Sequence, residues 1–101
     1  MGTRLELQTK LEELLGSSNV YYQPPSSKKM EYPAIRYSKN KHDKKSADDT
    51  TYQLHTRYDL TVIDRRPDNP VIQKLLELPY CSYGRFYSAN NLNHDTLTLY
   101  F

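Results

Sequence analysis

Residues 52–64, YQLHTRYDLTVID, alternate in character over thirteen positions. Tyr52, Leu54, Thr56, Tyr58, Leu60 and Val62 fall on one side of an extended chain, and Gln53, His55, Arg57, Asp59 and Thr61 on the other, because successive strand side chains point to opposite faces. A usual strand runs to about 5–6 residues. So long an alternation predicts a ribbon that projects beyond a small core.

The flanking sequence supplies the rest of a two-layer domain. Thr3 and Glu6 have the spacing of a capping box, in which each side chain satisfies the other residue's backbone N–H at a helix start. Leu7, Leu11, Leu14 and Leu15 then repeat on one helical face, and Gly16 is a natural stop. This predicts a helix over 4–15. Residues 20–23 and 32–38 read as strands, the second beginning near Pro33, which cannot donate to a ladder. Asp68 or Asn69 can cap a second helix over 70–78, with Pro70 at its first turn and Ile72, Leu75 and Leu76 on its apolar face.

Beyond that helix, residues 80–89 alternate loosely, and Tyr83-Gly84 suggests a bulge. Residues 90–95 carry turn chemistry, and 96–101 form a last strand with Leu97, Leu99 and Phe101 on one face. Hairpins over 32–64 and 81–101 point to antiparallel pairing. The expectation is a single α+β domain over 1–101: a mainly antiparallel sheet, two helices packed on one face, and a long extended β-hairpin. The other sheet face is left wet or covered by a neighbour.

Composition narrows the function. Only 37% of the residues are apolar, yet there are ten tyrosines, two phenylalanines and no tryptophan. Tyrosine suits pleated surfaces and interfaces, where its ring packs and its hydroxyl stays wet. The net charge of +2 makes no global demand for nucleic acid. Between Lys28 and Lys45, however, seven Lys/Arg stand against Glu31 and Asp43. Such an arm suits phosphate, an acidic protein surface, or plain solvation. Cys81 is the only cysteine, so no disulfide framework is expected and a reducing cytosol fits. No apolar run approaches the ~20 residues of a membrane span.

Catalytic and metal signatures are not found. Gly2, Gly16 and Gly84 lie too far apart for a phosphate loop. His42, His55 and His94 have no metal spacing with one another or with Cys81, which reads as a small core residue. His94-Asp95 sits by a turn, where Asp tends to bond local backbone. Glu12-Glu13 and Asp48-Asp49 read as a helix's outer face and a loop. No enzyme and no cofactor are expected. Tyr32 and Tyr37 beside Arg36 could imitate a base-stacking platform.

The order of elements, together with LQTKLEELLG, YPAIRYS, YDLTVIDRRPDNPVIQKLLELP and NNLNHDTLTLYF, resembles the small tail terminator, or tail completion, proteins of long-tailed bacteriophages and prophages. The resemblance covers nearly the whole chain, but its motifs are not chemically specific. It implies a virion protein at the head–tail junction, assembled in the bacterial cytoplasm. Typically as a hexameric ring, such proteins cap the head-proximal end of the tail tube, stop its growth and offer a surface to the head connector. The implied partners are other copies of the chain, the tail tube protein and a connector or head-closure protein. DNA passes transiently through the lumen, no membrane is involved, and weak contacts leave the isolated chain monomeric.

The residues expected to make those contacts lie on the ribbon and its polar tip. They are the basic Arg36, Lys39, Lys41, Lys44 and Lys45, with His42, Asp48 and Asp49 in the tip and His55 and Arg57 on the returning strand. Two other readings stand beside this one: a head-closure or head–tail joining neck protein, and a small nucleic-acid-binding protein using the basic 28–45 segment.

Overall fold

The computed structural model describes residues 3–25, 27–39 and 56–101. Helix α1 spans Arg4–Leu15. Its start is the expected capping box: Glu6 N–H donates to Thr3 Oγ1 at 3.2 Å, and Thr3 N–H donates to Glu6 Oε1 at 2.8 Å. The backbone bond to Thr3 holds the Glu6 carboxyl below its usual range. Gly16 ends the helix in the left-handed region at φ 80°, where a side chain would be strained.

Strand β1, Val20–Tyr22, runs parallel to β2, Ala34–Lys39. β2 pairs antiparallel with β3, Arg57–Asp64. Helix α2, Pro70–Leu76, is capped by Asn69, whose Oδ1 accepts from Val71 N–H at 2.9 Å. β4, Cys81–Ala89, and β5, Leu92–Tyr100, form the last hairpin. The sheet order is β1-β2-β3-β5-β4, so β5 inserts between β3 and β4. The α+β class, the mostly antiparallel sheet and the two helices are as expected.

Several details add to or differ from the sequence reading. β1 and β2 are parallel, a pairing that depends on where the 23–33 connection carries the chain. The described part of the long strand begins at Arg57. Thr56 and Phe101 extend its pairing with two backbone bonds, and residues 52–55 lie outside the described residues. α2 ends at Leu76, two residues early. Only Asn90 and Asn91 form the last turn, both at positive φ, the geometry a two-residue hairpin loop requires. Leu92 to Asp95 then join β5, because they pair with β3 and β4.

Both helices pack on one sheet face. Leu7 and Leu11 of α1 and Val71 and Leu75 of α2 are buried against Ile35, Tyr37, Tyr58, Leu60, Val62, Leu97 and Leu99. Full burial of a Leu or Ile side chain is worth about 1.5–3 kcal/mol relative to exposure. Phe101 and Cys81 pack against this core from the side.

The expected bulge lies in β4, where Gly84 and Arg85 together oppose Thr96. Thr96 Oγ1 accepts from Arg85 N–H at 2.9 Å and fills the space beside Gly84.

Candidate assembly surface

Among the described residues, no helix packs on the opposite sheet face. Strand register arranges its side chains in rows. Tyr21, Arg36, Thr61 and Thr96 lie abreast across β1, β2, β3 and β5. Next to them run Ser38, Asp59, Thr98 and Ser82, and then Arg57 beside Tyr100. On the other flank lie Ala34, Ile63, His94 and Tyr87. Ala34, Ile63 and His94 are buried there. The His94 ring stacks on Tyr87 at 4.6 Å, and the Arg85 guanidinium sits 5.0 Å from the Tyr87 ring centre. Threonine and tyrosine dominate this face because their branched or flat side chains suit a pleated surface without demanding burial.

The expected contact residues divide. Arg36 and Arg57 share the open face, about 13 Å apart along the strands by the usual rise per residue. Arg57 Nε lies 3.3 Å from Asp59 Oδ1. Lys39 is exposed at the end of β2 and alternates onto the helix side, in register with Tyr58. Lys41, His42, Lys44, Lys45, Asp48, Asp49 and His55 lie outside the described residues.

The imagined base-stacking trio comes apart. Tyr37 points into the core beneath α1, on the face opposite Arg36, because neighbours on a strand alternate. Burial raises the Tyr37 and Tyr58 hydroxyl pKa values above the ordinary tyrosine value, while Arg4 pulls against the shift at both. Tyr32 lies outside the strands, 6.0 Å from the Arg65 guanidinium.

Three side chains take roles the sequence did not suggest. Asp95 accepts from the Tyr83 hydroxyl at 2.5 Å, a cross-strand bond in place of the expected local backbone bond. That bond raises the Tyr83 pKa. His94 is buried, in contrast to the turn expected over residues 90–95. Asp64 is buried at the end of β3 and accepts from Asn69 Nδ2 at 2.8 Å and from Arg66 N–H at 3.2 Å, shaping the passage into α2. The run DRRPDN carried that signal in its spacing. Cys81 is half-buried, and desolvation raises its thiol pKa.

A second exposed surface follows β4, the edge strand. Tyr80, Tyr83 and Phe86 are exposed there. Tyr83 and Phe86 border an open depression of about 570 Å³ that reaches Pro67, Pro70 and Ile72 at the start of α2. An edge strand with exposed aromatics is a ready surface for another chain, although the bulge at Gly84 interrupts a straight ladder. Among the described residues no three His, Cys, Asp or Glu side chains group as metal ligands, and no helix is long and apolar enough to cross a membrane. No protein-family model, curated protein or solved structure matches the chain.

Proposed function

We propose that this chain is an assembly subunit of the tail-terminator kind. Copies of it close into a ring on the head-proximal end of a tail tube, end tube growth and present a docking surface to the head connector. The observation that carries this reading is the one-sided core. Two helices cover one face of the sheet, and the other face presents arginine, threonine and tyrosine side chains in open rows. A subunit that closes a ring by head-to-tail contacts needs two unlike surfaces. Here the open sheet face is one such surface, and the exposed outer side of the helices and the aromatic-bearing edge at β4 are available as the second.

The mechanism is geometric and makes no bonds. One surface of the ring matches the last turn of the tube, and its other surface does not accept a further tube subunit. The resemblance in element order and in the 58–79 passage adds the phage context, with the tube protein and connector as partners and DNA passing through the lumen. Electron microscopy of tails made without this protein tests the reading. Overlong tubes support it. Tails of normal length that fail to join heads would assign the chain to neck joining instead.

A further inference from the structure

The open face contains a cation with no ion-pair partner among the described residues. Arg36 sits at the centre of β2, flanked in register by Tyr21 and Thr61, and is half-buried. Its guanidinium meets no hydrogen-bond acceptor or ion-pair partner among the described residues. A shallow depression lined by Gln23, Ser38, Asp59 and Thr61 opens beside it. The carboxylate lining that depression, Asp59, is bonded to Arg57. Half-burying a guanidinium without an acceptor is unfavourable, and a bidentate carboxylate is the partner its fork fits best.

The charges also decide which surface can supply that carboxylate. Among the described residues, Arg36, Arg57 and Arg85 stand on the open face with Asp59 as the one carboxylate in its rows, and the Lys28 ammonium lies over the Tyr21 ring there. Two open faces pressed together would set cations against cations, which disfavours a symmetric sheet-to-sheet pair. The exposed side of α2 is balanced, with Lys74 and Glu77. The exposed side of α1 is acidic, with Glu6 and Glu13 against Lys10. Glu6 is held by its cap. Glu13 has no partner among the described residues, and it lies on the same helical line as Thr9 and Leu5. Leu5 is 66% exposed, the most exposed of the large hydrophobics among the described residues.

We infer that the open sheet face receives the outer side of α1 from a second copy of this chain, with Glu13 of that copy bound to Arg36. The helices and the open face lie on opposite sides of the two layers. Each copy therefore gives one surface and receives the other, a head-to-tail contact that closes into a ring when the rotation from copy to copy divides a full turn. This rests on the proposal that the chain works as an assembly subunit.

The test keeps both charged residues and cross-links beside them, which captures weak contacts. In a Cys81→Ser background, a Ser38→Cys chain is mixed with a Thr9→Cys chain and treated with a short bismaleimide. Circular dichroism confirms that each variant is folded. Heterodimer should form at least about tenfold faster than with a Lys74→Cys chain. Adding Arg36→Glu to the first chain should abolish the excess, because like charges oppose docking, and adding Glu13→Arg to the second should restore it. Yields equal to the Lys74→Cys control, or insensitive to charge reversal, would overturn the inference. Such a result together with overlong tubes in the protein's absence would leave the assembly role standing and move the interface elsewhere.

Discussion

The Tyr37 hydroxyl donates to Gln8 Oε1 at 2.6 Å, and the amide of the same glutamine donates to the Val20 carbonyl at 3.0 Å. Gln8 thus ties α1 to β1 and β2 together, the parallel pair that the sequence did not reveal. Tyr37→Phe leaves the ring packed between Tyr22 and Tyr58 but removes the donor. We expect a loss of about 1–2 kcal/mol, the cost of one part-buried hydrogen bond and its stranded acceptor. Urea unfolding should show a lower midpoint with an unchanged slope.

The same tyrosines set the alkaline limit of the fold. Burial is the main cause of the raised pKa of Tyr37, and of Tyr58 beside it, above the ordinary value of 10.0. The folded state therefore holds these protons more tightly than the unfolded chain does. The associated stability is complete below pH 10 and is lost as pH rises through the folded values. Urea midpoints measured from pH 8 to pH 11 should fall at the upper end. A Tyr37→Phe/Tyr58→Phe chain should show a shallower fall, from a lower starting point.

Two glycines are needed for different reasons. At Gly84 a Cβ would lie 2.6 Å from Thr96 Oγ1 and 2.9 Å from the Thr96 carbonyl oxygen. Gly84→Ala should cost about 1–3 kcal/mol through overpacking at the bulge. In a Thr96→Ala background the cost should shrink without vanishing, because the carbonyl contact remains. At Gly16 nothing lies within 4 Å, but φ is +80°. Gly16→Ala should cost about 1–2 kcal/mol from backbone strain alone and be indifferent to Thr96. Thermal unfolding of the three single and two double variants checks both.

Asn69 joins two structural tasks in one side chain: it caps α2 through Val71 N–H and donates to the buried Asp64 carboxylate. Asn69→Ser keeps a capping oxygen and gives up the reach to Asp64, whereas Asn69→Ala gives up both. We expect Ala to be the more destabilising by about 1 kcal/mol, the usual value of a cap. Equal losses for the two variants in denaturant unfolding would show that the Asp64 link alone matters.

What the sequence disclosed was the local chemistry. The capping box at Thr3 and Glu6, the stop at Gly16, the cap and Pro70 opening α2, and the bulge at Gly84 each depend on residues a few positions apart. What it concealed depends on distance in the chain. The parallel β1–β2 pair, the insertion of β5 between β3 and β4, and the burial of His94 are set by packing across the sheet. Asn90 to Asp95 read as one turn because their composition is uniform, yet a two-residue loop needs positive φ only at Asn90 and Asn91, and pairing claims the rest. The open surface was half legible. Arg36 and Arg57 are among the expected contact residues, but alternation removes Tyr37 and Lys39 from their side. The rows of threonine that complete the surface carry no motif.

The length distribution of tail tubes tests the central claim most directly. Tubes would be imaged by electron microscopy from three sources: cells with the gene intact, cells lacking it, and deletion cells supplied with a folded Arg36→Glu chain. The expected result is a single length with the intact gene and overlong, variable tubes in both other cases. Tubes of unchanged length in the deletion would contradict a role in ending tail growth.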